Sequence, residues 1–590
     1  MDNQEIAKIL NEISIYLDMD AVPFKPRAYE KVAETVSELS EEVKDIYTKG
    51  GLKALEAIPG VGASIAEKVE ELLKTGHSRY YDGLRKKTPI RLGDFQGIEG
   101  LGSKTLKTLY EKLGIRGLRD LEKAIASGRI RNLKGFGVKS EENILKGIEF
   151  LKKSGGRFIL GLAMPKIREI ESRFRAIKGV EKAVAAGSVR RRKETIGDAD
   201  ILVIIKENQP ASAKATAGKI MDYFVNMPEV ARVFARGETK SAVKLKNGLD
   251  VDVRVVPAES YGAALNYFTG SKEHNIALRE IAIKKGWKLN EYGLFKSDKR
   301  QAIRDKFIAG RTEEELYEKL GLQYIEPELR EMTGEIEASI VGKLPNLVGY
   351  DDLKGDLQIQ TNWTDGANSI EEMARAAMER GLEYIAITDH TKRLTITNGL
   401  DEKRIKKQWQ EIDEVNRKLK VKGLKFKVLK GTECDILKDG TMDLPDSILS
   451  KCEIAGASVH SVFNLSRKDQ TERIKRAMSN PNVDIIFHPT GRILNKREPY
   501  DVDVEELVRH AKKTKTVLEI NASDRADLKD EYIRKCVGQG VKMSIDSDAH
   551  SIFHFEWLEY GIAQARRGWV ERGDIINAWP LEKMLKFLKD

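Results

Sequence analysis

The sequence predicts a multidomain chain of mixed class: helical at the N-terminus, α+β in the middle, and an α/β domain of the β/α-barrel type at the C-terminus. Three observations point there. Within the first 150 residues, three short Gly-x-Gly turns each open a stretch with helical spacing of apolar residues. Between 180 and 256, β-branched runs read as strands: Ile201-Leu202-Val203-Ile204-Ile205 and Val251-Asp252-Val253-Arg254-Val255-Val256. After residue 350, short strand-like runs at 384–388, 427–430, 454–458, 485–487, 517–520 and 542–545 alternate with helical patterns, as β/α units do. With 590 residues there is room for several domains, at roughly 100–200 residues each.

The helical reading of residues 1–80 rests on Ile6, Ile9, Leu10, Ile13 and Leu17, followed by Val32 and Val36. The three turns are Pro59-Gly60-Val61-Gly62, Glu99-Gly100-Leu101-Gly102 and Lys134-Gly135-Phe136-Gly137, ahead of helical stretches at 65–69, 106–113 and 143–151. Glycine turns tightly and leaves backbone N–H groups open at a helix N-terminus. Such a helix-hairpin-helix suits a DNA phosphate without reading bases. Gly60, Gly62, Gly100, Gly102, Gly135 and Gly137 are therefore expected to contact DNA.

Charge sharpens this expectation. The net charge is +10, but residues 151–310 alone carry +14, residues 311–340 carry −6, and the two ends are near neutral. A localised basic segment fits a polyanionic partner or a well-solvated surface. The acidic stretch, followed by Pro327, Gly334, Gly342, Pro345 and Gly349, reads as a linker at 321–350. Three scattered cysteines, Cys434, Cys452 and Cys536, argue against a disulfide framework and a cysteine-zinc cluster. No apolar run is long enough for a membrane span, and the first ten residues lack a secretory pattern. The expectation is a cytoplasmic monomer without a membrane partner.

The first chemical constellation is Ala186-Gly187-Ser188-Val189-Arg190-Arg191, then Gly197-Asp198-Ala199-Asp200, then Asp252. On a strand, Asp198 and Asp200 point to one face. Asp252 on a neighbouring strand completes three carboxylates that would repel unless divalent cations lie between them. Mg²⁺ prefers such oxygen ligands, and two such ions can drive phosphoryl transfer. Gly187 lets the backbone approach a triphosphate, Ser188 can donate to it, and Arg190 or Arg191 can neutralise it.

With Tyr267-Phe268-Thr269-Gly270-Ser271, Asn275, Arg279 and Asn290-Glu291-Tyr292, these motifs resemble the family X DNA polymerases of the nucleotidyltransferase superfamily. The resemblance implies a palm at 151–258 and a thumb at 259–320. Asp198, Asp200 and Asp252 would be catalytic and hold two Mg²⁺. Gly187, Ser188, Arg191, Gly197, Tyr267, Phe268, Gly270 and Asn275 would bind the dNTP. Tyr267 and Phe268 would exclude a 2′-hydroxyl, and Arg254 and Arg279 would face DNA. In the N-terminal region, Phe24-Lys25-Pro26-Arg27-Ala28-Tyr29 resembles the DNA-end-binding surface of the family's lyase-type domain, so Lys25 would meet DNA. Lys68 falls where family lyases place a Schiff-base lysine. Ser64 stands where they carry another lysine, which leaves Lys68 open between lyase chemistry and plain phosphate binding. A second helix-hairpin-helix subdomain follows at 81–150.

Residues 351–590 resemble the PHP (polymerase and histidinol phosphatase) domain of bacterial and archaeal family X polymerases. The carrying motifs are Asp356-Leu357-Gln358-Ile359-Gln360, Asp365-Gly366, Thr388-Asp389-His390, Gly431-Thr432-Glu433, Ser458-Val459-His460, His488-Pro489, Glu519-Ile520-Asn521 and Asp546-Ser547-Asp548-Ala549-His550. Family geometry implies Mn²⁺ or Zn²⁺ on Asp365, His390 and His550, and on Glu433, His460 and His488. A further position would keep only Glu433 and Asp548, because the usual His-x-His is Gln358 and Gln360, and glutamine is a weak ligand for these metals. The expected activity is template-directed filling of short gaps in gapped or nicked duplex DNA from dNTPs, with 3′–5′ exonuclease activity of the tail left open. The alternatives are a polymerase whose PHP domain is active in 3′–5′ exonuclease or AP-site processing, and a template-independent nucleotidyltransferase.

Overall fold

The computed structural model describes residues 1, 3–38, 43–58, 61–95, 101–133, 136–137, 141, 144–145, 148, 157–206, 210–296, 306–494 and 497–589. The chain divides into two units, Met1–Gly156 and Arg157–Asp590.

In the first unit, the helices Asn3–Met19, Lys25–Glu38, Val43–Glu56 and Ala63–Thr75 bury Ile6, Leu10, Ile13, Val32 and Leu55. A second core gathers Leu106, Leu109, Leu121 and Ala124 from the helices Ser103–Leu113 and Leu118–Ala126. Gly62 and Gly102 stand at helix N-termini in extended conformation, with no side chain capping the helix. Gly60, Gly100 and Gly135 lie outside the described residues, as does most of the stretch expected to be helical at 143–151.

The second unit begins with a five-stranded sheet ordered Val180–Ala185, Asp198–Ile205, Asp250–Val256, Lys240–Leu245, Val230–Arg236. The helices Leu160–Arg175 and Pro210–Val225 contribute to its core, where Ile167, Ile170, Phe174, Ile220 and Phe224 meet the strand valines and isoleucines. Along Asp250–Val256, alternate residues are buried: Val251, Val253 and Val255 enter the core, so Asp252 and Arg254 face the other way.

The helices Tyr261–Thr269 and Lys272–Lys284 and a three-stranded antiparallel sheet follow. The segment 321–350, expected as a linker, is instead built into this subdomain. Leu322, Ile325, Leu329 and Ile336 share a core with Leu278, Leu316 and Tyr317. Its acidic neighbours are internal partners rather than solvated spacers. Glu313 binds the fully buried Arg330, and Glu335 holds His274 Nδ1 at 2.8 Å, while His274 Nε2 lies 2.8 Å from the Tyr317 hydroxyl.

The C-terminal barrel has seven parallel strands in chain order: Gly355–Ile359, Tyr384–Ile387, Lys427–Asp435, Ile454–Ser458, Ile485–Ile486, Val517–Asn521 and Met543–Asp546. The first of these was legible only as a motif. A parallel bridge from Ile359 to Ala549, with Gln360 N donating to Ala549 O at 2.9 Å, brings the last strand back to the first. Apart from Lys427 and Lys430, the strands are buried end to end, as parallel strands covered on both faces must be.

Candidate active sites

Two sites form in the second unit. In the first, the strands Asp198–Ile205 and Asp250–Val256 pair in parallel with Asp200 opposite Asp252. Period two puts Asp198 beside Asp200, so three carboxylates share one face. Burial, together with repulsion from Asp198 and Asp252, raises the Asp200 carboxyl to about 7. Burial, Asp252 and Asp250 also raise Asp198. The protein supplies Lys240, 3.1 Å from Asp252. An oxygen face whose negative charge is resisted in this way fits divalent cations.

Gly187 lies beside this face. It has φ +58°, and a β-carbon there would sit 2.8 Å from Asp200 Oδ2. Ala186 N donates to Asp200 O at 2.7 Å, which fixes the turn to the strand. Arg190 points away, into a buried cluster with Thr269 Oγ1 at 2.8 Å and Glu313 at 2.6 Å. Arg191 donates through Nε to Glu331 at 2.8 Å and through Nη1 to the Thr269 carbonyl. Gly197 leads into Asp198 from the short strand Thr195–Ile196.

Tyr267 and Phe268 close one side, their rings edge-on at 5.0 Å, with the Arg254 guanidinium 4.5 Å from the Phe268 ring. Gly270 has φ +69° and its missing β-carbon faces Arg191 Nη1. Asn275 is buried, and its amide donates to the Tyr267 carbonyl at 2.7 Å. It therefore holds the aromatic pair in place. Arg279 follows one turn later on the same helix.

In the first unit, Lys68 donates to Ser64 O and Oγ at 2.7 and 2.9 Å, and lies 4.9 Å from the Tyr80 ring. Burial lowers its pKa, with a further push from Lys25 that Glu67 opposes. Lys25 is exposed at the start of its helix.

The second site lies at the C-terminal ends of the barrel strands. Asp365 sits 3.6 Å from both His390 Nε2 and His550 Nε2. Glu433, fully enclosed, reaches His390 at 3.3 Å, His460 at 3.1 Å and His488 at 2.8 Å. Donor atoms of Asp365, His390 and His550, and of His390, Glu433 and His460, gather closely enough to hold an ion. His390 thus bridges two donor groups, and His488 flanks the second. Burial works against a charged His460, but Glu433 and Asp435 outweigh it and raise its pKa to about 9. Burial and the Arg525 guanidinium push His488 down to about 4, so it is a neutral imidazole.

The third position does not fit a metal. Gln360 Nε2 donates to Glu433 at 2.7 Å. Gln358 Oε1 accepts from Asn521 Nδ2 at 3.0 Å, and Asn521 also reaches Asp548 at 3.3 Å. The Arg525 guanidinium donates to Asp548 through Nε at 3.3 Å. Where the family would place a cation, amide and guanidinium donors already hold the carboxylates. Sequence reading missed Arg525 and the enclosed Glu519, which accepts from His488 N at 2.6 Å. Glu519 belongs to the Glu519-Ile520-Asn521 motif, which gives it no ligand role, and nothing in its spacing marks Arg525. His510 stands apart, meeting Ser479 at 2.9 Å, whereas His554 stacks on Trp557 at 4.0 Å and accepts from His550 N at 3.2 Å.

Family models match along the chain: a helix-hairpin-helix domain at 1–78, a SAM-like helix-hairpin-helix tandem at 92–149, the DNA polymerase beta thumb at 264–331 and the PHP domain at 356–523. The chain is 35% identical over 593 residues, the full length of both, to the DNA polymerase/3′-5′ exonuclease PolX of Bacillus subtilis (strain 168). It is 30% identical over 301 residues to DNA polymerase lambda of Rattus norvegicus, covering 47% of this chain and 48% of that one. It is also 30% identical over 234 residues to a probable phosphatase of Thermoanaerobacter sp. (strain X514), covering 38% of this chain and 89% of that one.

Proposed function

Because the chain belongs to the family X DNA polymerases with helix-hairpin-helix domains and a C-terminal PHP domain, we propose that it fills short gaps in duplex DNA, adding template-directed dNTPs during base-excision-type repair. The observation that carries this reading is the carboxylate face of Asp198, Asp200 and Asp252 against a turn where a β-carbon at 187 would crowd Asp200.

In this reading Asp198, Asp200 and Asp252 hold two Mg²⁺. Bound there, the ions supply a lowered pKa at the primer 3′-hydroxyl and compensation for charge on the departing pyrophosphate. The protein does the rest by positioning. Gly187 admits the triphosphate to within hydrogen-bonding reach of the backbone. Ser188 donates a hydrogen bond, and Arg191, its guanidinium plane set by Glu331 and Thr269, offers a fixed positive charge. Tyr267 and Phe268, kept in place by Asn275, pack where a ribose 2′-hydroxyl would otherwise fit. In the N-terminal unit, Lys25, Lys68 and the hairpin turns grip phosphate.

The PHP domain is read as a two-metal centre, with Mn²⁺ or Zn²⁺ on Asp365, His390, His550, Glu433, His460 and His488, and with 3′–5′ exonuclease activity impaired by Gln358 and Gln360. Bound metals there supply an activated water for phosphodiester hydrolysis. Asp548 lies with the amide and guanidinium donors instead.

Template direction is tested with one-nucleotide-gapped duplexes differing only in the templating base, each offered the four dNTPs singly. Insertion of the complementary nucleotide alone is expected. Equal insertion of all four would favour the template-independent transferase.

A further inference from the structure

The loop that follows the triphosphate turn is held from the C-terminal barrel, residue by residue. Arg567, at the end of the barrel helix Leu558–Arg567, is almost fully buried. Its Nη1 donates to the Arg191 backbone carbonyl at 3.2 Å and lies 3.4 Å from Glu331 Oε1. Its Nη2 pairs with Asp530, another barrel residue. Glu331 Oε1 is the same oxygen that accepts from Arg191 Nε at 2.8 Å. Next along the loop, Arg192 pairs with Glu559 of that barrel helix at 2.9 Å, and Glu194 pairs with Arg492 at 2.6 Å.

A carboxylate facing one arginine is free to rotate with it, whereas one clamped between two guanidinium groups, of which Arg567 is almost fully buried, is not. Arg567 therefore fixes both ends of Arg191: its carbonyl directly, and its side chain through Glu331. Desolvation strengthens each of these contacts.

We propose that Arg567 is a positioning residue for polymerisation, which makes the barrel a structural part of the nucleotide site whatever its own hydrolytic competence. This rests on the reading of Arg191 as a triphosphate contact.

The test is steady-state single-nucleotide insertion on gapped DNA by the full chain, comparing wild type, Arg191→Ala, Arg567→Ala, Arg567→Lys and the double Arg191→Ala/Arg567→Ala. Loss of a preorganised charge is expected to raise KM for dNTP on the order of tenfold in Arg567→Ala, with kcat within about twofold and DNA affinity unchanged. Arg567→Lys should recover part of the loss, and the double variant should be no worse than Arg191→Ala alone. An unchanged KM in Arg567→Ala beside a raised KM in Arg191→Ala would overturn the proposal. An unchanged KM in Arg191→Ala would instead overturn the reading beneath it. If Arg567→Ala does not fold, Arg567→Lys carries the test: a KM equal to wild type refutes the clamp, and a KM raised by a few fold supports it.

Discussion

Replacing Glu313 by glutamine should unfasten the polymerase half of the chain. Glu313 is 3% exposed and receives Arg330 at 2.5 Å and Arg190 at 2.6 Å. Burial by itself would raise its carboxyl, but the two guanidinium groups outweigh that and hold it down at about 2, against a usual 4.5. At about 1.4 kcal/mol for each tenfold, the folded environment favours the carboxylate by about 3 kcal/mol. The variant leaves Arg330, itself fully buried, without its counter-charge, a class of change that costs about 3–5 kcal/mol. We therefore expect Glu313→Gln to lose about 3 kcal/mol at pH 7, read as a lowered urea midpoint of the intact chain by tryptophan fluorescence. The sign with pH follows from a depressed folded-state pKa. The contribution is complete above about 4.5 and is lost as pH falls through about 2, so the gap between the two proteins should narrow on acidification below 4.5. A loss under about 1 kcal/mol at pH 7, or a gap that widens in acid, would show that Glu313 is not the counter-charge these arginines require.

Other perturbations follow from the same geometry. Gly187→Ala puts a methyl 2.8 Å from Asp200 Oδ2 at φ +58°, and should cut insertion on gapped DNA by at least about tenfold while costing about 1–2 kcal/mol; a fully active alanine variant would remove the case for close approach. Neighbouring carboxylates raise His460 and His550 each to about 9, and both must lose a proton to ligate. Mn²⁺ affinity of the chain, by calorimetry, should thus rise from pH 6 toward pH 9 and level off above; affinity flat over that range would show that neither histidine is a ligand. Gln358→His with Gln360→His restores imidazole to the first motif, and metal analysis should then find about one more Mn²⁺ per chain than wild type; no gain would mean that the glutamines are not what closes the third position.

The parts of the fold that repeat a local rule were readable from the sequence alone. Alternation put Asp198, Asp200 and Asp252 on one face, and strand–helix rhythm marked six of the seven barrel strands. The donor groups around Asp365 and Glu433 were reached through motif resemblance rather than spacing. What could not be read depends on burial. Arg330 and Glu335 fall in the stretch read as a Pro/Gly-rich linker and Glu313 in the acidic run ahead of it, because the sequence does not show that each finds a buried partner. Arg525 and Arg567 carry no signature at all: one faces Asp548, the other Glu331, across separations visible only after folding. Gln358 and Gln360 are legible as a loss of ligands; that Gln360 donates to Glu433, while Gln358 accepts from the Asn521 amide that also reaches Asp548, is not legible.

Nucleotidyl transfer, in this reading, depends on Asp198, Asp200 and Asp252 acting together. Primer extension on one-nucleotide-gapped DNA with Mg²⁺, wild type against Asp252→Ala at matched DNA binding, tests it most directly. Wild type should add the single complementary nucleotide, and the variant should be slower by about a thousandfold or more. Equal extension by the two proteins would contradict the claim.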